Sequence, residues 1–367
     1  MNLDAMLADL EELVVCESFS SDHAAVARSA GVVAAQGERM LGAAPEFLVV
    51  DGVTHLRWTF GSPRVLLLGH HDTVWPIGTL SALPWSVVNG TARGPGVFDM
   101  KAGLVQIFHA LRALPSLDGV SVLVTGDEEL GSPTSQKLIE ESARGLSAAF
   151  VLEASADGGA LKTARKGVSH YELVVYGKAA HAGLEPAKGV NAAVELAHQI
   201  LAVNEIAAQV DAGLTTVTPT LSAAGTSTNT VPARASVQVD VRVPTVEAQE
   251  RVHELMNALT ARIPGARLEL LGGPNRPPME ASSSAALFEL AQRAAADLGQ
   301  PALSGVAVGG ASDGNYTAGV GCPTLDGLGA VGGGAHADHE HVITSEMPGR
   351  TALLSRLVAD VLDGVNP

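Results

Sequence analysis

Apolar residues Leu3, Met6, Leu10, Leu13 and Val14 recur at helical spacing and predict a helix over 3–15. A second helix follows the Ser18–Ser21 stretch. Phe47–Val50 and His55–Phe60 read as strands around an Asp51-Gly52 turn. The unbroken apolar run Val65-Leu66-Leu67-Leu68 predicts a buried strand over 65–69. A helix over 101–114, a strand over 120–125, a helix over 132–144 and a strand over 149–153 come next. This alternation predicts a layered α/β domain with a mainly parallel sheet.

The pattern changes after Gly167. Strands over 168–176, 215–222, 235–243 and 267–271 are interleaved with helices over 190–210 and 246–263. The order β-α-β-β-α-β predicts a ferredoxin-like α+β unit. It is bounded by Lys166-Gly167 and by the turn-rich Gly272-Gly273-Pro274-Asn275-Arg276-Pro277-Pro278. From Ser283 the α/β style resumes, with a helix over 284–298, two glycine-rich loops and a helix over 345–364. The larger domain is therefore expected to be discontinuous, 1–166 with 278–367, and 167–277 to be inserted into it.

A chain of 367 residues with 46% hydrophobic and 17% charged residues has material for two cores. Its net charge of −16 argues against nucleic-acid partners and anionic membranes. The two cysteines, Cys16 and Cys322, stand in apolar or glycine-rich contexts and read as small buried hydrophobes in a reducing, cytoplasmic compartment. Met1-Asn2-Leu3-Asp4 lacks the basic and apolar regions of a signal peptide, and no uninterrupted apolar run reaches membrane-spanning length.

Chemistry concentrates where strand-like runs end. The strand over 65–69 leads into His70-His71-Asp72, a His-x-Asp pair in which one imidazole nitrogen ligates a metal while a carboxylate holds the other. Downstream stand Asp99, the pair Glu128-Glu129, Glu153 and His336, each beside a strand-like run or a glycine-rich loop. An open α/β sheet places its site at such ends. Mixed oxygen and nitrogen ligands without thiolate suit zinc, cobalt or manganese. Five ligands exceed what one catalytic zinc takes, so one is expected to bridge two ions about 3.5–4 Å apart around a shared water. A further acid must take the proton from that water, and Glu128-Glu129 offers one ligand and one base. Asp-Glu-Glu alone is more often a solvated cluster; here its context favours chemistry. Gly327–Gly332 fits G-x-G-x-x-G, but no apolar helix start follows it, so dinucleotide binding is discounted.

In combination these motifs resemble the di-zinc aminoacylase/carboxypeptidase family, which includes acetylornithine deacetylase, succinyl-diaminopimelate desuccinylase and bacterial glutamate carboxypeptidase. The resemblance covers essentially the whole chain and is closest in motif to glutamate carboxypeptidase. It implies two zinc ions, with His70 and Glu153 on one, Glu129 and His336 on the other, and Asp99 bridging. It also implies that Asp72 orients His70 and that Glu128 is the general base. His181, in Gly177-Lys178-Ala179-Ala180-His181, matches the histidine of the lid domain, which in dimeric relatives reaches a neighbouring active site. Asn229 and Arg242 match residues that bind the substrate carboxylate, and Gly309-Gly310 matches a glycine-rich substrate loop. Several relatives carry Asp-Asp where this chain has Asp99-Met100, which leaves the metal site intact and blurs the subfamily. Of the crowded C-terminal groups, His339 and His341 read as solvated and Glu340 as lying behind the ligands. The expected activity is hydrolysis of an amide bond next to a free carboxylate, on a small peptide or N-acyl amino acid, by a homodimer. An N-acyl-amino-acid deacylase, a dipeptidase and an inactive metal-binding module are the alternatives.

Overall fold

The run Val65-Leu66-Leu67-Leu68 lies in the middle of a six-stranded sheet, fully buried on both faces. A computed structural model describes residues 1–365 of the chain. The strands lie in the spatial order Glu46–Val50, Val53–Thr59, Val120–Thr125, Val65–His70, Ala148–Val151, Thr324–Leu325. Three neighbouring pairs run parallel, and the two pairs involving Val53–Thr59 run antiparallel. Alternate side chains point to opposite faces of a strand. Val65 and Leu67 pack with Met6, Leu10, Val33, Ile107 and Leu354 from helices on one face. Leu66 and Leu68 pack with Ile139, Ala143 and Tyr316 on the other. A strand covered on both faces needs a continuous apolar run rather than an alternating one. Each of these leucines contributes about 1.5–3 kcal/mol of burial.

The helix Ala102–Arg112 crosses the sheet at close range. A Cβ at Gly103 would lie 2.1 Å from the Leu152 carbonyl oxygen, so a side chain there would push the helix away from the segment that carries Glu153. The helix expected over 132–144 begins only at Gln136. Ser132 has φ +59°, and the buried Asp127 carboxylate captures Thr134 N–H and the Thr134 and Ser135 hydroxyls. A small antiparallel sheet of Gly332–Gly333, His341–Ile343, Thr91–Arg93 and Ser86–Val88 was not foreseen, because strands this short leave no periodic signal.

The chain separates into two compact units, and the second comprises Arg165–Met279 with Gly309–Ala311. Its sheet has the order Thr216–Ala224, Arg234–Val243, Gly167–Tyr176, Arg267–Arg276, with every neighbouring pair antiparallel. The helices Ala192–Asn204 and Val246–Asn257 pack on the face lined by Leu173, Val175, Val237, Val239 and Val241. Both helices are shorter than their periodicity implies. Asn191 caps the first, its side chain accepting from Ala193 N and Val194 N. That helix closes where Glu205 N and Ile206 N turn back to the carbonyls of Ala202 and Val203. The second stops at Asn257. The buried Glu195 carboxylate takes the N–H groups of Arg262 and Ile263 at 3.1 and 2.6 Å and pins the following segment as a loop ahead of Pro264.

Candidate metal centre

The strand Val65–His70 is flanked by Val120–Thr125 on one side and Ala148–Val151 on the other, although these two follow it consecutively in the parallel part of the sheet. The order of the sheet thus reverses around Val65–His70, and the crevice beyond its C-terminal end is where such sheets hold ligands. His70 ends that strand, Glu128 and Glu129 follow Val120–Thr125, and Glu153 follows Ala148–Val151. Asp99 comes from the segment ahead of helix Ala102–Arg112, and His336 from the loop before strand His341–Ile343.

His70 Nδ1 lies 3.0 Å from the backbone carbonyl of Asp72 and donates its proton there. Nε2 therefore faces the carboxylates, with Asp99 Oδ1 at 3.3 Å and Glu153 Oε1 at 3.5 Å. The Asp72 carboxylate is the more distant partner, 3.4 Å from Nδ1. It is fully buried and accepts the Ser20 hydroxyl at 2.7 Å and the backbone N–H groups of Glu128 and Glu129 at 3.2 Å each. Asp72 thus orients His70 chiefly through its main chain, while its side chain ties the strand end to the turn that carries both glutamates.

His336 sits at φ +62°, an unusual backbone state for a non-glycine residue and one that recurs at functional sites. Its Nε2 faces Glu129 Oε2 at 3.1 Å and Asp99 Oδ2 at 3.4 Å. The two oxygens of Asp99 therefore face two different imidazoles. The contacts with Asp99 and Glu129 push the His336 pKa up to about 10. Burial alone would raise the Asp99 pKa, but His336 and His70 hold it well below the usual carboxylate range. Burial would likewise lower His70, yet Asp72, Asp99 and Glu153 raise it well above the ordinary imidazole value.

Among the described residues, His70 Nε2, Asp99 Oδ1 and Glu129 Oε1 are buried with no hydrogen-bond partner. Buried polar atoms without partners are costly. A cluster of carboxylates around two outward-facing imidazole nitrogens calls for positive charge. His70, Glu128 and Glu153 form one group of converging ligand atoms, and His70, Asp99 and Glu129 another. The nitrogen and oxygen donors, with no thiolate among them, fit divalent zinc, cobalt or manganese.

The remaining sequence-derived residues lie in the second unit. His181 Nδ1 accepts the N–H groups of Gly183 and Leu184 at 3.2 and 3.1 Å, which places its ring proton on Nε2. His181 and Asn229 lie on paired segments, with Ala182 N donating to the Asn229 carbonyl and a bridge between His181 and Thr230. Arg242 stands apart from them on its sheet, where Nε and Nη2 both donate at 2.9 Å to the Asp240 carboxylate. Sequence reading passed over Asp240, although Asp-x-Arg on one strand puts both side chains on one face. The Gly310 carbonyl accepts from Arg165 Nη1 at 2.9 Å.

The neighbouring histidines and the glycine-rich loop also have definite places. His71 is buried, its Nε2 3.0 Å from the Thr54 carbonyl, and burial lowers its pKa to about 4. His339 is exposed, and His341 Nδ1 bonds the His339 carbonyl. The Gly327 and Gly329 carbonyls of the glycine-rich loop are taken by the buried Arg350 guanidinium.

Residues 66–360 match peptidase family M20/M25/M40. Carboxypeptidase G2 of Pseudomonas sp. (strain RS-16) is 30% identical over 97% of this chain and 89% of its own length. A succinyl-diaminopimelate desuccinylase of Rhodopseudomonas palustris is 27% identical over 80% of this chain and 82% of its own. The fold is shared with an M20 family metallo-carboxypeptidase, Sso-CP2 of Sulfolobus solfataricus, at a TM-score of 0.74 and 17% identity over 96% of this chain and 98% of that one. Every residue of the carboxylate and imidazole cluster, from His70 to His336, falls inside the matched stretch, and the chain belongs to the M20 family of metal-dependent peptidases.

Proposed function

We propose that the chain hydrolyses an amide bond next to a free carboxylate, in the manner of a glutamate carboxypeptidase. The observation that carries this is Asp99, one carboxylate whose two oxygens face His70 and His336 at 3.3 and 3.4 Å. His70 with Glu153 would hold one divalent ion and His336 with Glu129 the other, zinc by preference, with Asp99 shared between them. Ions held there would polarise the scissile carbonyl and make a nearby water more acidic. Glu128 takes the proton from the attacking water and passes it to the leaving amine. Its backbone is anchored to Asp72, which supports a fixed position for the carboxylate. His181, protonated on Nε2, offers that N–H to the carbonyl oxygen as charge develops on it.

Arg242 is the anchor for the substrate carboxylate, with the Gly309-Gly310 loop as a further contact; Asn229, which stands apart from Arg242, would meet the substrate on another side. Asp240 occupies the side of the guanidinium formed by Nε and Nη2, which leaves Nη1 for a second carboxylate. Amidation of the substrate carboxylate is therefore expected to lower kcat/KM strongly in the wild type and much less in Arg242→Ala. Equal penalties in both proteins would remove Arg242 from this role. Assay of a small panel of dipeptides, N-acyl glutamates and other N-acyl amino acids with added zinc or cobalt tests the reaction itself. The similarity to a desuccinylase favours a second reading, an N-acyl-amino-acid deacylase, and the same panel separates the two.

We further propose that residues 167–277 form a lid and that the chain works as a homodimer through them. Thr216–Ala224 is an edge strand, and Leu201, Leu214 and Leu221 on or beside the outer elements are 64%, 60% and 69% exposed. Mixing Glu128→Gln with His181→Ala subunits under exchange conditions is expected to restore activity if His181 serves the neighbouring site. Verified exchange with no recovered activity would exclude action across the interface. Among the described residues no helix is long and apolar enough to cross a membrane. Cys16 and Cys322 stay unpaired, which supports a reducing, cytoplasmic setting.

A further inference from the structure

Glu340 is 3% exposed, and its carboxylate accepts four N–H groups, two on each oxygen. Phe98 N and Asp99 N donate to Oε1 at 2.8 and 3.0 Å. Gly96 N and the Trp75 indole N–H donate to Oε2 at 2.9 and 2.8 Å. The donors come from separate stretches of chain. Trp75 lies five residues beyond His70, and Gly96, Phe98 and Asp99 form the segment that presents Asp99. Glu340 itself lies four residues beyond His336. It is brought into place by the small sheet, where His341 pairs with Arg93 just ahead of the Gly94–Asp99 segment. One buried carboxylate thus cross-links the three segments that carry His70, Asp99 and His336.

We propose that Glu340 is a positioning residue that sets the spacing of these three ligands and so governs the affinity for the metal pair. This rests on the two-ion assignment made above. The physical reason is the matching of donors and acceptors. Four N–H groups converge on one small volume, and a carboxylate offers an acceptor oxygen to each pair. A glutamine of the same size offers one oxygen and one NH2 group. In either orientation its NH2 meets two N–H donors, and one side of the clamp opens. Outer partners of metal ligands typically change metal affinity about 10–100-fold when removed.

The experiment uses the full chain, stripped of metal by a chelator and titrated with Co2+ alone, read by calorimetry and by the visible absorption of bound cobalt. The wild type is expected to take up two Co2+. Glu340→Gln is expected to fold but to bind Co2+ about 10–100-fold more weakly, with an altered cobalt spectrum. Trp75→Phe removes one of the four donors and is expected to give a smaller loss in the same direction. Glu195→Gln is the control. It disrupts another buried carboxylate that holds a loop by backbone N–H groups, in the second unit, and should leave Co2+ affinity and spectrum as in the wild type. Wild-type affinity and spectrum in Glu340→Gln would overturn the proposal. Should that variant fail to fold, wild-type Co2+ binding in Trp75→Phe overturns it instead. Equal losses in Glu195→Gln would show that general destabilisation, not ligand spacing, is measured, and would overturn it as well. A wild-type chain that binds no Co2+ overturns the metal assignment itself and this proposal with it, a result distinct from wild-type binding shared by all variants.

Discussion

Glu128→Gln is expected to keep the fold and both metal ions while turnover falls about 10²–10⁴-fold, the usual worth of a general acid–base group. The argument is geometric. Glu128 and Glu129 are adjacent, and their backbone N–H groups are held by the same Asp72 carboxylate. Their side chains nevertheless have different neighbours. Glu129 Oε2 faces His336 at 3.1 Å. Glu128 instead groups with His70 and Glu153, at the other end of the cluster. The amide variant of Glu128 cannot accept a proton from water, yet it preserves volume in a nearly buried position, 9% exposed. Glu129→Gln should behave differently and release one of the two ions. Elemental analysis beside steady-state kinetics separates the two outcomes. Near wild-type turnover in Glu128→Gln would mean that another group takes the proton.

Asp99→Asn is expected to abolish measurable activity and to reduce metal content to one ion per chain or fewer. A carboxylate presents an oxygen to each of two ions, whereas an amide presents one oxygen and one NH2 that repels a cation. Stability should report the same loss. An ion that binds the folded chain alone adds about 2.7 kcal/mol at a hundred times its Kd. The wild type should therefore melt at a higher temperature as zinc or cobalt is added, and Asp99→Asn should show little of that rise. Two ions retained in Asp99→Asn, or a melting temperature that ignores added metal in the wild type, would contradict a shared carboxylate.

Much of the candidate site was legible in the sequence because its acids and imidazoles follow strand-like runs. Val65-Leu66-Leu67-Leu68 can hardly be anything but a buried strand, so the position of His70 at its end follows from local pattern alone. The same holds for Glu153 after Ala148–Val151. Asp99 and His336 lie in glycine-rich loops with no periodicity of their own. Their assignment came from the order of motifs along the chain. The double role of Asp72 was only half legible. His-x-Asp suggests a carboxylate on the imidazole, but the nearer partner of His70 is the Asp72 main chain, and the carboxylate serves Ser20 and the glutamate turn.

Periodicity also overstated the helices of the second unit, since it registers which face is apolar and not where the backbone hydrogen bonds stop. Asn191 and Glu195 decide those ends through side-chain oxygens, and the segment that Glu195 captures lies more than sixty residues away. The sequence by itself determined what is local: strand and helix type, the apolar faces, the kinds of candidate ligand side chains and their order. Only the tertiary structure decided what depends on meetings between distant segments. Asp99 is set between His70 and His336, and Glu340 beneath four N–H groups, because each contact needs a hydrogen bond or a close approach across folded chain that no spacing in the sequence encodes.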